Sequence, residues 1–247
     1  MIDWQERTAL LLSQEEMTLL KYSHVLLAGL GGVGGAAAEM LVRAGVGKLT
    51  VVDGDVVQDS NRNRQLGALI STSGIKKADV WKQRLFDINP ELKLDVIDEY
   101  IKDQRMIDIL DTGFDYVVDA IDTLSPKVFL IYHSLKRQIP VVSSMGAGGK
   151  MNPQLVKIDD ISKSNTCKLA LYIRKRLHKL GVYEGVRVVY SSEKVSKECI
   201  KLIEGELNKK STVGTISYMP NIFGCFCASE VLRGILEAND RDVIALG

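Results

Sequence analysis

This chain of 247 residues predicts a Rossmann-like, doubly wound α/β fold, a mainly parallel sheet extended by antiparallel strands in the C-terminal half. Two observations carry the prediction. Short apolar runs alternate with stretches of helical length as far as Gly146, the rhythm of βαβ units. Gly29-Leu30-Gly31-Gly32-Val33-Gly34 follows the first apolar run and opens a helix, the context that gives G-x-G-x-x-G its meaning.

Ser13 followed by Glu16 reads as a capping box that opens a short helix ahead of a strand from His24 to Ala28. The glycines lead into a helix from about Val33 to Arg43. Strands recur at Leu49 to Val52, Leu92 to Ile97, Tyr116 to Val118 and Pro140 to Val142. Helices lie between them at Ile75 to Asp87, Asp103 to Leu110 and Pro126 to Arg137. After the turn Gly146 to Gly149 a strand is expected at Leu155 to Ile158, a basic helix at Leu169 to Leu180, and strands near Val186 to Tyr190 and Thr212 to Tyr218, the strands being antiparallel additions to the same sheet. Asn221 is expected to cap an apolar helix through Leu236, and Glu237 onward to form a frayed tail.

The length suits one domain over 1–247, divided into a nucleotide-binding half (1–150), a basic substrate and dimer half (151–238) and a tail (239–247). No apolar run is long enough to span a bilayer and no signal-peptide pattern opens the chain, so a soluble, cytoplasmic protein is expected. Cys167 and Cys199 stand alone and Cys225 and Cys227 form C-x-C, which excludes a paired C-x-x-C zinc site. Cys225 and Cys227 fall on different faces of an apolar helix and read as buried, inert thiols, with a sulfur relay or a thioester nucleophile as the alternative. His24, His133 and His178 are too scattered for a ligand set, and Trp81 reads as helix packing.

Bare amides at a helix N-terminus attract phosphate, which makes Gly29, Gly31, Gly32 and Gly34 candidate phosphate-binding positions. Asp53 ends the second strand, where a carboxylate can accept hydrogen bonds from ribose hydroxyls. So far NAD and ATP fit equally. Asp55, Asn61, Arg64, Gln65 and Lys77 then crowd the same region, and cations there suit a triphosphate about to be cleaved better than a dinucleotide. Arg64 can fork two oxygens and Lys77 can act as a point charge, with solvated surface charges as the plainer alternative. Asp119 and Asp122 end the fourth strand, and Asp122 suits either magnesium or a helix N-cap.

Together the glycine loop, Asp53-x-Asp55, Asn61-x-x-Arg64-Gln65, Lys77 and Asp119-x-x-Asp122 resemble the ubiquitin-activating-type adenylating family, the ThiF, MoeB and HesA-like enzymes. Within it the chain is most similar to the tRNA threonylcarbamoyladenosine dehydratases. That likeness rests on Arg7-Thr8, Gly146 to Pro153, Asp160-Ile161-Ser162-Lys163, Val189 to Glu193 and Gly214 to Pro220. The resemblance implies ATP and magnesium as cofactors, and a homodimer in which Arg7 reaches the partner's triphosphate. It further implies tRNA as substrate, with Arg64, Lys77 and Asp122 beside Arg7 as catalytic residues. A monovalent cation and a sulfur-transfer partner are left open by it. The chain departs from the pattern at Cys167-Lys168, where relatives often have Asp-Pro, and at Asn152, where Asp is common.

Lys163 to Lys210 holds twelve Lys and Arg against five acidic residues, so this half is basic in a chain whose net charge is only +1. Arg174, Lys175, Arg176 and Lys179 lie on one predicted helix and are the candidate tRNA contacts, with a solvated helix face as the plain alternative. Four functions remain open: tRNA dehydratase, activator of a sulfur-carrier protein, and, further off, an NAD-dependent oxidoreductase or a non-catalytic nucleotide-binding module.

Overall fold

A computed structural model describes residues 3–202 and 211–245. In chain order the elements are α1 (Glu6–Ala9), α2 (Gln14–Tyr22), β1 (His24–Ala28), α3 (Gly32–Ala44), β2 (Lys48–Val52), α4 (Lys77–Ile88), β3 (Lys93–Ile97), α5 (Asp103–Leu110), β4 (Tyr116–Asp119), α6 (Leu124–Lys136), β5 (Val141–Ser144), β6 (Val156–Asp160), α7 (Lys168–Lys179), β7 (Arg187–Ser191), β8 (Ile200–Leu202), β9 (Ser211–Val213) and α8 (Tyr218–Ala245). Seven strands form one sheet in the order β3-β2-β1-β4-β5-β7-β6, parallel except for β6, which pairs antiparallel with β7.

Both faces of the central strands are buried because successive side chains alternate between two cores. Val25 and Leu27 of β1 join Leu49, Val51, Val118, Val142 and Val189 in the core covered by α3, α4 and α8. Leu26 and Ala28 face the opposite way and join Val117, Val141 and Val188 under α5, α6 and α7. Trp81 fills the seam between α4 and α3, where a Cβ on Gly35 would meet its ring at 2.1 Å. This is the packing role expected for it.

The seam also carries charge. Glu39 of α3 accepts from Arg43 at 2.9 Å and from Arg84 of α4 at 2.7 Å. Burial acts to raise the Glu39 carboxyl, but the two guanidinium groups outweigh it and hold the group below its ordinary value. Its contribution to stability is therefore complete above the ordinary 4.5 and lost as pH falls through the lower folded value. Glu39→Gln is expected to flatten the acid limb of a stability-against-pH curve below that point, measured by urea unfolding; an unchanged limb would refute the assignment.

The Ser13–Glu16 capping box forms, with Ser13 N donating to Glu16 Oε2 at 2.7 Å and Glu16 N to Ser13 Oγ at 3.2 Å. Asn152 does the work an Asp would do there, accepting from Gln154 N at 2.9 Å. Cys167 is buried and takes the N-cap position of α7 without a side-chain bond. Five expectations need correction. The strand at Val186 to Tyr190 is not simply an antiparallel addition: β7 pairs parallel with β5 and antiparallel with β6. Cys225 is exposed, and only Cys227 is buried. Thr212 to Tyr218 is not a strand of the main sheet: β9 ends at Val213 and pairs with β8 in a separate two-stranded hairpin. Asn221 lies inside α8, not at its cap, and donates to Ser217 O and Arg64 O. The helix also continues past Glu237 to Ala245, where a tail was expected. Lys209 and Lys210 of the basic stretch lie outside the described residues. Among the described residues no helix is long and apolar enough to cross a membrane.

Candidate nucleotide-binding site

The sheet order reverses between β1 and β4, and ligands of open α/β sheets bind in the crevice beyond the strand ends at such a point. Register puts Ala28 opposite both Val52 and Asp119, so the glycine loop, Asp53 and the loop after Asp119 emerge side by side. Gly29 has φ +95° and a Cβ there would stand 2.7 Å from Ala120 O; a Cβ on Gly34 would stand 1.7 Å from Gly29 O. Only glycine lets the chain turn this tightly into α3. The N-cap Gly31 offers no side-chain bond, which leaves the first-turn amides of a thirteen-residue helix aimed at the crevice. An anionic ligand fits this end of the helix.

Asp53 is fixed by Leu30 N, which donates to one carboxylate oxygen at 2.6 Å, and Asp55 N, which donates to the other at 2.8 Å. Each oxygen keeps a lone pair for a ribose hydroxyl. Burial pushes the Asp53 carboxyl up, and the nearby Lys77 ammonium counters it. Lys77, only 6% exposed, donates to Asp55 Oδ2 at 2.6 Å. The other Asp55 oxygen accepts from the Tyr100 hydroxyl, whose pKa that bond pushes up to about 12.

Arg64 and Gln65 stand across the glycine loop. The Gln65 amide nitrogen is the nearest atom, at 3.7 Å, to a Cβ built on Gly31. Arg64 Nη1 donates to Ser60 O at 2.9 Å and Asn63 Oδ1 at 2.8 Å. Asn61 is buried and accepts from Gln58 N at 3.1 Å, a loop-building role. The segment after β9 closes over this side: Asn63 donates to Thr215 O at 3.0 Å, and Pro220 Cβ is 2.9 Å from where a Cβ on Gly32 would be. The Gly214 to Pro220 motif thus roofs the glycine loop.

Asp119 does not face the crevice. It is fully buried with Lys127 Nζ at 2.9 Å and Ser143 Oγ at 2.6 Å, and Lys127 also donates to Ile121 O at 3.0 Å. Burial pushes the Asp119 carboxyl up, opposed by the ammonium and the hydroxyl. This pair holds the loop that presents Asp122, which is exposed; the N-cap of α6 is Thr123. Asp122 is therefore not the helix cap. Arg7 is exposed on α1, far along the chain from these loops, and has no ion pair among the described residues. Of the α7 basics, Lys175, Arg176 and Lys179 are exposed, while Arg174 turns inward to Ile161 O at 3.1 Å and Ser164 O at 2.8 Å.

Sequence reasoning missed Lys127 and Tyr100. A lone lysine immediately before the apolar run Val128 to Ile131, eight residues after a strand-ending aspartate, was a signal for the first. Nothing local marks Tyr100, because its contact to Asp55 spans 45 residues.

The comparisons extend these observations over the whole chain. It is 38% identical over 238 residues to the tRNA threonylcarbamoyladenosine dehydratase of Bacillus subtilis, covering 94% of both chains. The crystal structure of Escherichia coli tRNA N6-threonylcarbamoyladenosine dehydratase, TcdA, in complex with ATP superposes with a TM-score of 0.87 at 31% identity, covering 98% of both chains. The molybdopterin-synthase adenylyltransferase of Salmonella typhimurium is 33% identical over 57% of this chain and 55% of its own. With residues 5–245 matching the ThiF family pattern and the glycine loop built as described, this chain belongs to the ThiF family.

Proposed function

We propose that the chain is an ATP-dependent tRNA dehydratase, which closes a ring in the threonylcarbamoyl group of a modified adenosine by way of its adenylated carboxylate. The observation that carries the reading is coverage. Likeness to the dehydratases runs through both halves of the chain, whereas likeness to the adenylyltransferases covers about half of it. ATP supplies a leaving group: a carboxylate oxygen attacks the α-phosphorus, pyrophosphate departs, and attack on the acyl carbon from within the same group expels AMP with that oxygen. One water is lost in effect.

The side chains divide this work by position. Amides of Gly31, Gly32 and Gly34 receive phosphate, and Asp53 holds the ribose. Arg64 and Lys77 oppose charge that builds on the phosphate oxygens, which a preorganised cation does at little reorganisation cost. Asp122 would hold magnesium jointly with phosphate oxygens. Among the described residues no group of three or more His, Cys, Asp or Glu could hold a metal, which suits an ion that takes one or two carboxylates and completes its shell from the nucleotide and water.

The direct test incubates the protein with ATP, magnesium and tRNA bearing the open modification. Mass spectrometry of the nucleosides is expected to show loss of one water. Pyrophosphate release only with a small protein ending in Gly-Gly would replace this reading by activation of a sulfur carrier.

Arg7 belongs to a dimeric form of this reading. Leu10 and Leu11 beside it are 85% and 83% exposed, an apolar surface that a second copy could cover. Arg7→Ala mixed with Lys77→Met is expected to recover about a quarter of wild-type turnover, because random pairing makes half the dimers mixed and each holds one intact site. No recovery, with dimers intact by sedimentation, would remove the role in trans.

A further inference from the structure

The outer faces of α6 and α7 form one continuous surface. Neither helix contains an acidic residue, and between them they carry Lys136, Lys168, Lys175, Arg176 and Lys179 in addition to the buried Lys127. Phe129 is 46% exposed and Tyr172 is 55% exposed. The helices are tied side by side by Arg176, which donates to Ser125 Oγ at 2.8 Å. One turn from Ser125 on the same face stands Phe129, stacked on His133 with ring centroids 6.2 Å apart, and one turn from Arg176 stands Tyr172. Lys136 lies over the Tyr132 ring at 5.6 Å. Arg174 sits on the inward side, spent on backbone carbonyls, and so separates the outer face from the core. The surface begins at the crevice, since Asp122 precedes α6 by two residues.

We propose that this α6–α7 face holds the anticodon arm of the substrate tRNA against the mouth of the nucleotide crevice. Lys136, Lys175, Arg176 and Lys179 contact phosphates, and Phe129 and Tyr172 stack on unpaired bases. The inference rests on the tRNA dehydratase reading and adds where the RNA lies. Its physical basis is complementarity: cations without interleaved carboxylates attract a polyanion, and exposed rings suit the splayed bases of an RNA loop. A protein groove would call for a continuous apolar patch in their place.

The test measures binding of a tRNA transcript by fluorescence anisotropy across a salt series. Lys175→Ala with Lys179→Ala is expected to weaken binding at least tenfold and to reduce the salt slope by about 1.5, the contribution of two phosphate contacts. Phe129→Ala and Tyr172→Ala are each expected to weaken binding about tenfold with the slope unchanged, as loss of a stacked base requires. Lys136→Glu extends the test to the charge on α6. Affinity within twofold of wild type in all of these would overturn the surface, including the case in which an acidic protein docks there. Dehydration of modified tRNA by the wild type keeps the two ideas apart. If it proceeds while the variants bind normally, only the surface falls; if the wild type neither binds nor converts tRNA, both fall.

Discussion

Lys127→Ala is expected to cost about 3–5 kcal/mol of stability, because it strands Asp119 as a buried carboxylate without its counter-charge. Both side chains are fully excluded from solvent, and the ammonium also ties Asp119 O and Ile121 O to the start of α6. The loss has two parts, an uncompensated charge and two orphaned carbonyls. Urea unfolding separates them from a packing effect. Lys127→Met combined with Asp119→Asn removes both charges and is expected to recover most of the loss, since neutralising a buried pair is far cheaper than breaking it. A single variant that unfolds at the wild-type denaturant concentration would show that the pair does not hold the loop. Because the loop leads directly to Asp122, the single variant should also raise the magnesium concentration needed for ATP cleavage.

The second large effect is on chemistry. Lys77→Met is expected to slow ATP cleavage about 100-fold, the scale seen when one preorganised group facing developing charge is removed. The residue is buried at the start of α4 and paired with Asp55 at 2.6 Å, so its position is set before any ligand arrives. Methionine keeps the length of the side chain and leaves the charge out. The fall is expected mainly in turnover, with nucleotide affinity changed less, because the cation matters most when the phosphate oxygens gain charge. A change confined to affinity would make Lys77 a binding residue only, and Lys77→Arg restoring turnover would show that charge alone suffices.

Much of the nucleotide site was legible because its parts are local. A tight turn needs glycine at Gly29 and Gly34 whatever surrounds it, and the strand before and the helix after announce themselves by periodicity. Asp53 could be placed by counting to the end of the next strand. The C-terminal half was less legible: Thr212 to Tyr218 is rich in β-favouring residues, yet only β9 is a strand and it joins a hairpin of its own. Strand propensity says that a segment can pair and leaves open with what.

By itself the sequence determined the doubly wound sheet, the phosphate loop and the list of polar side chains around it, since each follows from residue type and short-range spacing. Tertiary structure alone decided how those side chains are employed. It turned Asp119 inward onto Lys127, set Asp55 between Lys77 and Tyr100, sent Arg174 into the core side of α7 and laid Gly214 to Pro220 over the glycine loop. These contacts run from eight residues apart, Asp119 to Lys127, to 152 residues apart, Asn63 to Thr215. Whether a charged group is solvated, paired or aimed at a ligand depends on what the fold brings within about 3 Å of it, and residue type alone does not carry that information.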